Sequence, residues 1–509
     1  MATAEHNESF DPKRITSGIP LLPFTNQVGG HTPFFRFSKR AICKPAAPKE
    51  QEFYVYLESN HPELLPFLSQ YLGLLNATYY QDSRALLPEV IFDDNEQLLK
   101  DWYSLGSQQI DRGTTAATTA NTPDILNEDF QQWSPNADEC NSRFTEFRKR
   151  VLCEVFNPSA LRERMKLQHD ALEQQEQDAA AIEKMTIQLK SVLNDNNTKS
   201  NETLCAEPAS LTTPSLSSLH EHQNDEAIMS SLDISRKGST TSHAFNHDDD
   251  NNTNGHNDND DNTSSASSAR WQLRRTPTNP WGQQVYERDR LKLQQLNEGN
   301  VVKQFILLED LTDNIQCPCV LDLKMGNRHY GVFSNEVKMK SQTSKCINST
   351  SHQLGVRICG MQVYKRDEKR FDFHDKYMGR LLDEEGFKKN LVDYLDGRWN
   401  HIPVLLKKLN RLGRIIRSLK GYRFYASSLL LIYDGGKPEN SKDCRIDVRM
   451  IDFAKCVSPN DDTADFTYPP ENPDGPDEGY LLGISSLIEK FTEIHNEQQQ
   501  QQQQKISST

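Results

Sequence analysis

The sequence predicts an α+β protein made of two ordered blocks with a long polar insert between them, and three observations carry that prediction. The first block, opening at QVGGHTPFFRFSKRAICKP, reads as strand, strand and helix. The second, from NPWG onward, reads as strand, amphipathic helix and strand hairpin. Between them runs HDDDNNTNGHNDNDDNTSSASS, which cannot bury enough surface to offset its ordering entropy.

Composition limits the architecture. A chain of 509 residues has room for two or three domains. Only 35% of it is apolar and its mean hydropathy is −0.74, too polar for three packed cores. The net charge of −14 argues against bulk attraction to nucleic acid or to an anionic membrane, so an anionic ligand must be held locally. The ten cysteines are scattered and include no CxxC pair, which reads as reduced thiols inside a cell. Cys317 and Cys319 read as packing residues around a proline rather than a metal pair. MATAEHNESF lacks a signal pattern and no apolar run approaches the length of a membrane span, so the expected location is cytoplasm or nucleus, without membrane insertion.

Taken in order, residues 1–24 read as a disordered tail. FFRFSKRAICK follows as strand, turn and strand with Lys44 at its end, and then comes a helix broken at Pro62. Residues 111–278 read as a mostly disordered insert, with a marginal helix at 160–192 whose apolar positions are sparse. His243, His247 and His256, set among its aspartates, read as solvated linker. VVKQFILLEDLT is a strand ending in an acidic turn. CPCVLDLKMG is an apolar strand carrying Asp322 and Lys324 before a glycine. Ile402, Leu405, Leu409, Leu412, Ile416 and Leu419 recur in steps of three and four, the stripe of a helix packed on a core. SSLLLIYDGG and CRIDVRMIDFAKC make the hairpin, and residues 491–509 read as a polyglutamine-rich tail.

Charge is distributed unevenly. Residues 324–420 hold 21 Lys and Arg against 10 Asp and Glu, a local excess of +11 in an acidic chain. This points either to a compact polyanionic ligand bound by geometry or to a solvated basic face. Asp452, ending the apolar strand VRMIDF, sits where a nucleotide kinase holds Mg2+, or else caps a turn or pairs with a cation. Lys44, the LLEDLT turn, Asp322 with Lys324, and Asp452 together make up the parts of a kinase. No GxxxxGK[ST] or GxGxxG motif is present.

These residues resemble a known family. PCVLDLKMG resembles the PxxxDxKxG signature of the inositol polyphosphate kinases, and SSLLLIYDG and RMIDFAKC resemble two more of its blocks in the same order. VGGHTPFFRF, NPWG, LGVRICGMQVY, KYMGR and GPDEGYLLGISSLI look like the inositol hexakisphosphate kinase branch. The likeness spans roughly residues 25–110 and 279–490. It implies a two-lobed fold similar to protein kinases and ATP-grasp enzymes: residues 25–110 and 279–316 would make the small lobe and hinge, and 317–490 the larger lobe. On it, Lys44 would touch the ATP phosphates, with Glu52 as its expected ion-pair partner. Glu309, Asp310 and Leu311 would receive adenine through the backbone and ribose through the Asp310 carboxylate. Asp322 and Lys324 would face the transferring phosphoryl group, Asp452 would hold Mg2+, and Ser428 would support phosphate or metal. Lys324, Lys338, Lys345 and Lys376 are the candidate contacts for inositol hexakisphosphate or pentakisphosphate, with Arg328 and Arg380 behind them. Val332 stands where the family often has an acid, and the segment from there to Cys346 carries less charge than the family pattern. Two rivals stand beside the hexakisphosphate reading: a multikinase acting on ring hydroxyls of lower inositol phosphates, and a non-catalytic scaffold that binds inositol polyphosphate. Nucleic acid is not an expected partner.

Overall fold

The computed structural model describes residues 18–80, 87–91, 95, 151, 278–295, 299–438 and 446–507, all in one compact unit of the chain. The expected helix at 160–192 and almost all of the 111–278 insert lie outside the described residues.

Strands β1 (Ile19–Pro20), β2 (Leu22–Pro23), β3 (Phe35–Arg36), β4 (Ala41–Pro45), β5 (Tyr71–Tyr79), β6 (Pro88–Val90) and β7 (Val301–Glu309) form one antiparallel sheet, ordered β1-β6-β5-β7-β4-β3-β2. Strand alternation sorts its residues. Ala41 and Cys43 enter a core with Phe35, Phe305 and Leu307, while Ile42 and Lys44 line the opposite side. Helix α1 (Pro48–Asn60) starts on a proline, which suits a first turn. It stops before Pro62, where a 3-10 segment (Pro62–Phe67) takes over. In helix α2 (Pro280–Gln295) the Asn279 Oδ1 caps the start by accepting from Trp281 N at 2.9 Å.

A second antiparallel sheet, ordered β10-β9-β8-β11-β12, contains β8 (Pro318–Met325), β9 (Val356–Lys365), β10 (Arg370–His374), β11 (Ser428–Asp434) and β12 (Ile446–Ile451). Around it lie α3 (Glu336–Ile347), α4 (Ser351–Leu354), α5 (Lys376–Arg380), α6 (Glu384–Leu395), α7 (His401–Ser418) and α8 (Glu478–Ser507). The stripe read from the sequence is the buried face of α7 and the residue that follows it, with Ile402 to Ile416 fully buried and Leu419 nearly so.

Three expectations need correction. Residues 18–24 are not tail: Ile19 and Leu21 are buried in the core of the first sheet, reached by short strands too brief for a periodic signal. Helix α8 continues through the glutamine run to Ser507, and Phe491 and Ile494 are buried in the larger core, so the ordered block does not end at 490. Glutamine is a good helix former and extends a helix already nucleated by its packed first half. The core under the larger sheet also includes Phe53, Tyr54 and Leu57 of α1 and Leu64 and Phe67 beyond it, so this part of the first block packs with the second.

Candidate active site

One cleft brings together residues far apart in the chain. Lys44, Leu308, Glu309, Asp310 and Leu311 from the first sheet line it opposite Val320, Asp322, Ile432 and Asp452 from the second. Lys44 Nζ donates to Asp452 Oδ1 at 2.5 Å and to Glu50 Oε1 at 2.7 Å. Burial would push its pKa down, but the two carboxylates outweigh burial and raise it. Asp452 answers in the opposite sense: burial pushes it up, and Lys44 with Lys324 drives it below the usual carboxylate range. The expected partner Glu52 is exposed on α1. Glu50, one turn from the helix start and 1% exposed, takes the role instead and also accepts from Phe453 N at 3.2 Å. Asp452 has φ 69°, a left-handed conformation costing a non-glycine residue about 1–3 kcal/mol and typical of functional sites. It turns the carboxylate off the end of β12 toward the lysine.

Asp322 and Lys324 lie two apart on β8 and so share one face of the strand. The β8–β9 register shifts between Asp322 and Leu323, leaving Cys359 unpaired as a bulge beside the acid. Asp322 is buried and accepts from Ser428. Its Oδ1 has no hydrogen-bond partner among the described residues. Burial pushes its pKa up to about 6, with Lys324 opposing and Asp452 adding to the rise. The loop before β3 closes over this acid: a methyl group on Gly29 would run into the Asp322 carboxylate, and one on Gly360 would strike Val28 O.

At the turn after β7, two of the three expected backbone donors are already engaged. Glu309 N donates to Gln70 O at 3.0 Å and Asp310 N to Arg40 O at 2.7 Å. Leu311 N has no acceptor among the described residues. The Glu309 side chain points away, accepting from Gln70 N at 3.2 Å. Asp310 Oδ1 accepts from Thr312 N at 2.8 Å and Thr312 Oγ1 at 2.6 Å, and Oδ2 lies 3.6 Å from Arg36. Val28, Val320 and Ile432, with Leu311, Ile315 and Leu430 against them, form an apolar shelf beside this turn.

The candidate acceptor lysines fall into two groups. Lys324 and Lys338 act on Lys455, a residue the sequence reading missed; burial first and these two cations next lower the Lys455 pKa to about 8. Lys376 is likewise lowered to about 8 by burial, Arg380, Arg288 and, more weakly, Lys345. None of Lys324, Lys338, Lys376 or Lys455 has a carboxylate within 4.0 Å among the described residues. Arg328 is anchored instead, stacked over Tyr330 and Tyr425 and bonded to Tyr468 O and Pro469 O. Val332 is buried in an apolar cluster with Tyr425 and Val457, where an acid would be stranded. Arg357, also missed, donates to His329 Nδ1 at 3.1 Å. The signal for Lys455 was its place three residues after Asp452 in RMIDFAKC.

A divalent ion fits this donor set. No group of three or more His, Cys, Asp or Glu residues gathers among the described residues. However, Asp452 at the cleft and the orphan Oδ1 of Asp322 present two carboxylates, and Mg2+ commonly takes one or two, leaving its other positions to water and phosphate.

The described residues make an α+β protein of two antiparallel sheets whose cleft gathers Lys44, Asp310, Asp322 and Asp452. Residues 305–492 match the family described as inositol polyphosphate kinase. A protein of Schizosaccharomyces pombe described as an uncharacterized inositol polyphosphate kinase is 30% identical, over 94% of this chain and 64% of its own length. Inositol hexakisphosphate kinase 1 of Saccharomyces cerevisiae is 27% identical, over 92% of this chain and 60% of its own. Inositol hexakisphosphate kinase 3 of Mus musculus is 29% identical, over 94% of this chain and 96% of its own. The chain thus spans less than two thirds of the two yeast relatives and nearly all of the mouse one. Residues 305–492 thus match the inositol polyphosphate kinase family, and over almost its whole length the chain is similar to kinases of that family.

Proposed function

We propose that this protein is an ATP-dependent kinase that transfers the γ-phosphoryl group of ATP to a phosphate of inositol hexakisphosphate, making a diphosphoinositol. The observation that carries the reading is the junction of Lys44 and Asp452 at 2.5 Å, beside Asp322 and near Lys324 and Lys455, which have no carboxylate within 4.0 Å among the described residues. The hexakisphosphate kinases among its relatives support the choice of acceptor.

On this reading adenine lies on the Val320 and Ile432 shelf with its edge toward Leu311 N–H, and ribose meets the Asp310 Oδ2, which accepts no hydrogen bond among the described residues. Lys44 exchanges a carboxylate for the ATP phosphates. Mg2+ held at Asp452 would offset the charge on those phosphates. Lys324, Lys338, Lys455 and Arg357 bind the acceptor on one side, and Lys345 and Lys376 on the other. The nucleophile is a phosphate oxygen, already largely ionised because a monoester's second pKa is near about 6, so no strong base is needed. What the protein supplies is alignment and charge neutralisation between two polyanions.

One observation favours the multikinase alternative. Asp322, raised to about 6, is well placed to take a proton from a ring hydroxyl. Phosphorus NMR of the products separates the readings. Incubation with Mg-ATP and inositol hexakisphosphate should yield the β-phosphate signal of a diphosphate. Monoester signals from a trisphosphate acceptor alone would move the assignment to hydroxyl chemistry, and no turnover of either would leave a binding module.

A further inference from the structure

The NPWG motif has no part in the chemistry above, yet its tryptophan touches both halves of the site. Trp281 is 4% exposed at the start of α2. The edge of its indole meets the glycine loop, with Nε1–H donating to Gly30 O at 3.1 Å. Its face carries cations, with Lys376 Nζ 4.8 Å and the Arg288 guanidinium 5.4 Å from the ring centroid. Lys376 Nζ also lies 3.1 Å from His31 Nδ1, so the residue after Gly30 reaches the same ammonium. Tyr377 meets the indole edge-on at 6.1 Å.

The indole cannot drift, because its backbone is tied into a buried chain of amides. Asn279 N donates to Thr25 O, and Asn279 Oδ1 caps Trp281 N. Asn279 Nδ2 donates to Gln362 Oε1 at 3.0 Å. Gln362 Nε2 donates to Asn26 Oδ1 at 3.3 Å, and Asn26 Nδ2 to Thr312 Oγ1 at 3.1 Å, beside Asp310. Gln27 staples the loop from within, donating to Gly29 O and Thr32 O and accepting from Phe34 N.

We propose that Trp281 is a positioning residue for both ligands: its Nε1–H fixes the Gly29–Gly30 loop over the nucleotide cleft while its ring face holds the Lys376 ammonium toward the acceptor, so loop and cation are set as one piece. The acceptor half rests on the function proposed above; the loop half stands on the cleft geometry alone. The indole edge and face are separable by substitution. Trp281→Phe keeps an aromatic face and loses the N–H, whereas Trp281→Leu loses both.

The test is calorimetric titration of wild type and both variants with a non-hydrolysable ATP analogue plus Mg2+, and separately with inositol hexakisphosphate. Trp281→Phe should weaken the nucleotide analogue about 2- to 10-fold, the range of one net hydrogen bond, and leave the acceptor within about twofold. Trp281→Leu should weaken both ligands, the acceptor about 2- to 30-fold, matching loss of a partly buried cation–π contact. The proposal is overturned if Trp281→Phe binds both ligands as wild type does, or if the two variants weaken both ligands by one common factor, as general loosening would. Wild type that binds the nucleotide but not hexakisphosphate would overturn the acceptor reading, while the Trp281→Phe nucleotide titration still decides the loop half.

Discussion

The two sides of the cleft are electrostatic opposites. On the side proposed for the nucleotide, charges are answered within the fold: Lys44 by Glu50 and Asp452, and Asp310 by Thr312 and Arg36. On the acceptor side the charges oppose one another, and both Lys376 and Lys455 are held near about 8 by burial and neighbouring cations. A site whose charges are paired internally is organised before its ligand arrives, at the cost of exchanging partners when it does. A site of like charges stores repulsion that only an anion relieves, so stability there is given up for affinity.

The sharpest way to break this comparison is at the two acids. Asp452→Asn should lower turnover by about 10²- to 10³-fold, as loss of a central electrostatic group does, and Asp322→Asn should lower it less. Steady-state rates with hexakisphosphate check this, and equal losses would move Asp322 to the nucleotide side as an obligatory ligand or base.

Next comes Lys455→Met, which should weaken hexakisphosphate by about tenfold or more, the worth of a charged contact, while making the free protein more stable. The sign follows from the lowered pKa. The folded state resists protonation of Lys455, so the penalty is full below about 8 and fades as pH rises toward the ordinary 10.5. Thermal melts should therefore find the variant's advantage at pH 7 and little of it near pH 10.5. A variant less stable than wild type at pH 7 would mean that Lys455 is not under repulsion.

A smaller effect is expected at α1. Glu50→Gln should weaken nucleotide binding by a few-fold because Lys44 loses one of two anchors, and Glu52→Gln should stay within about twofold, as an exposed substitution does. Fluorescence competition with a nucleotide probe compares them, and the reverse order would restore Glu52 as the partner.

The smallest is a melting shift. Asp322 titrates near about 6 in the fold against 3.8 when unfolded, so wild type loses stability as pH rises from 3.8 through 6. Asp322→Asn should melt a few degrees higher at pH 7.5 and show no gain below pH 3.8. A lower melting point at pH 7.5 would make the ionised carboxylate a net stabiliser.

Much of this molecule was readable from local pattern. The stripe on α7, the strand and hairpin around SSLLLIYDGG and RMIDF, and the shared face of Asp322 and Lys324 all follow from periods of 3.6 and 2 that a short window contains. The short strands at 19–23 were not readable, since two residues carry no period, nor was the helical glutamine run, whose composition is that of a tail.

What one dimension left open was which distant groups meet. Lys44 and Asp452 lie 408 residues apart and Gln362 and Asn26 lie 336 apart, separations over which no pattern reaches. The choice of Glu50 over Glu52 was made by the face of α1 that packs on Phe453 and Phe424, which buries position 50 and leaves 52 in solvent. The recruitment of Lys455, Arg357 and Trp281 to the site is of the same kind. Residue type and spacing are local properties, so the sequence specified the strands, the helix faces and the chemical groups they carry. Partnership depends on how two sheets close over a shared core, and only the folded chain decides that.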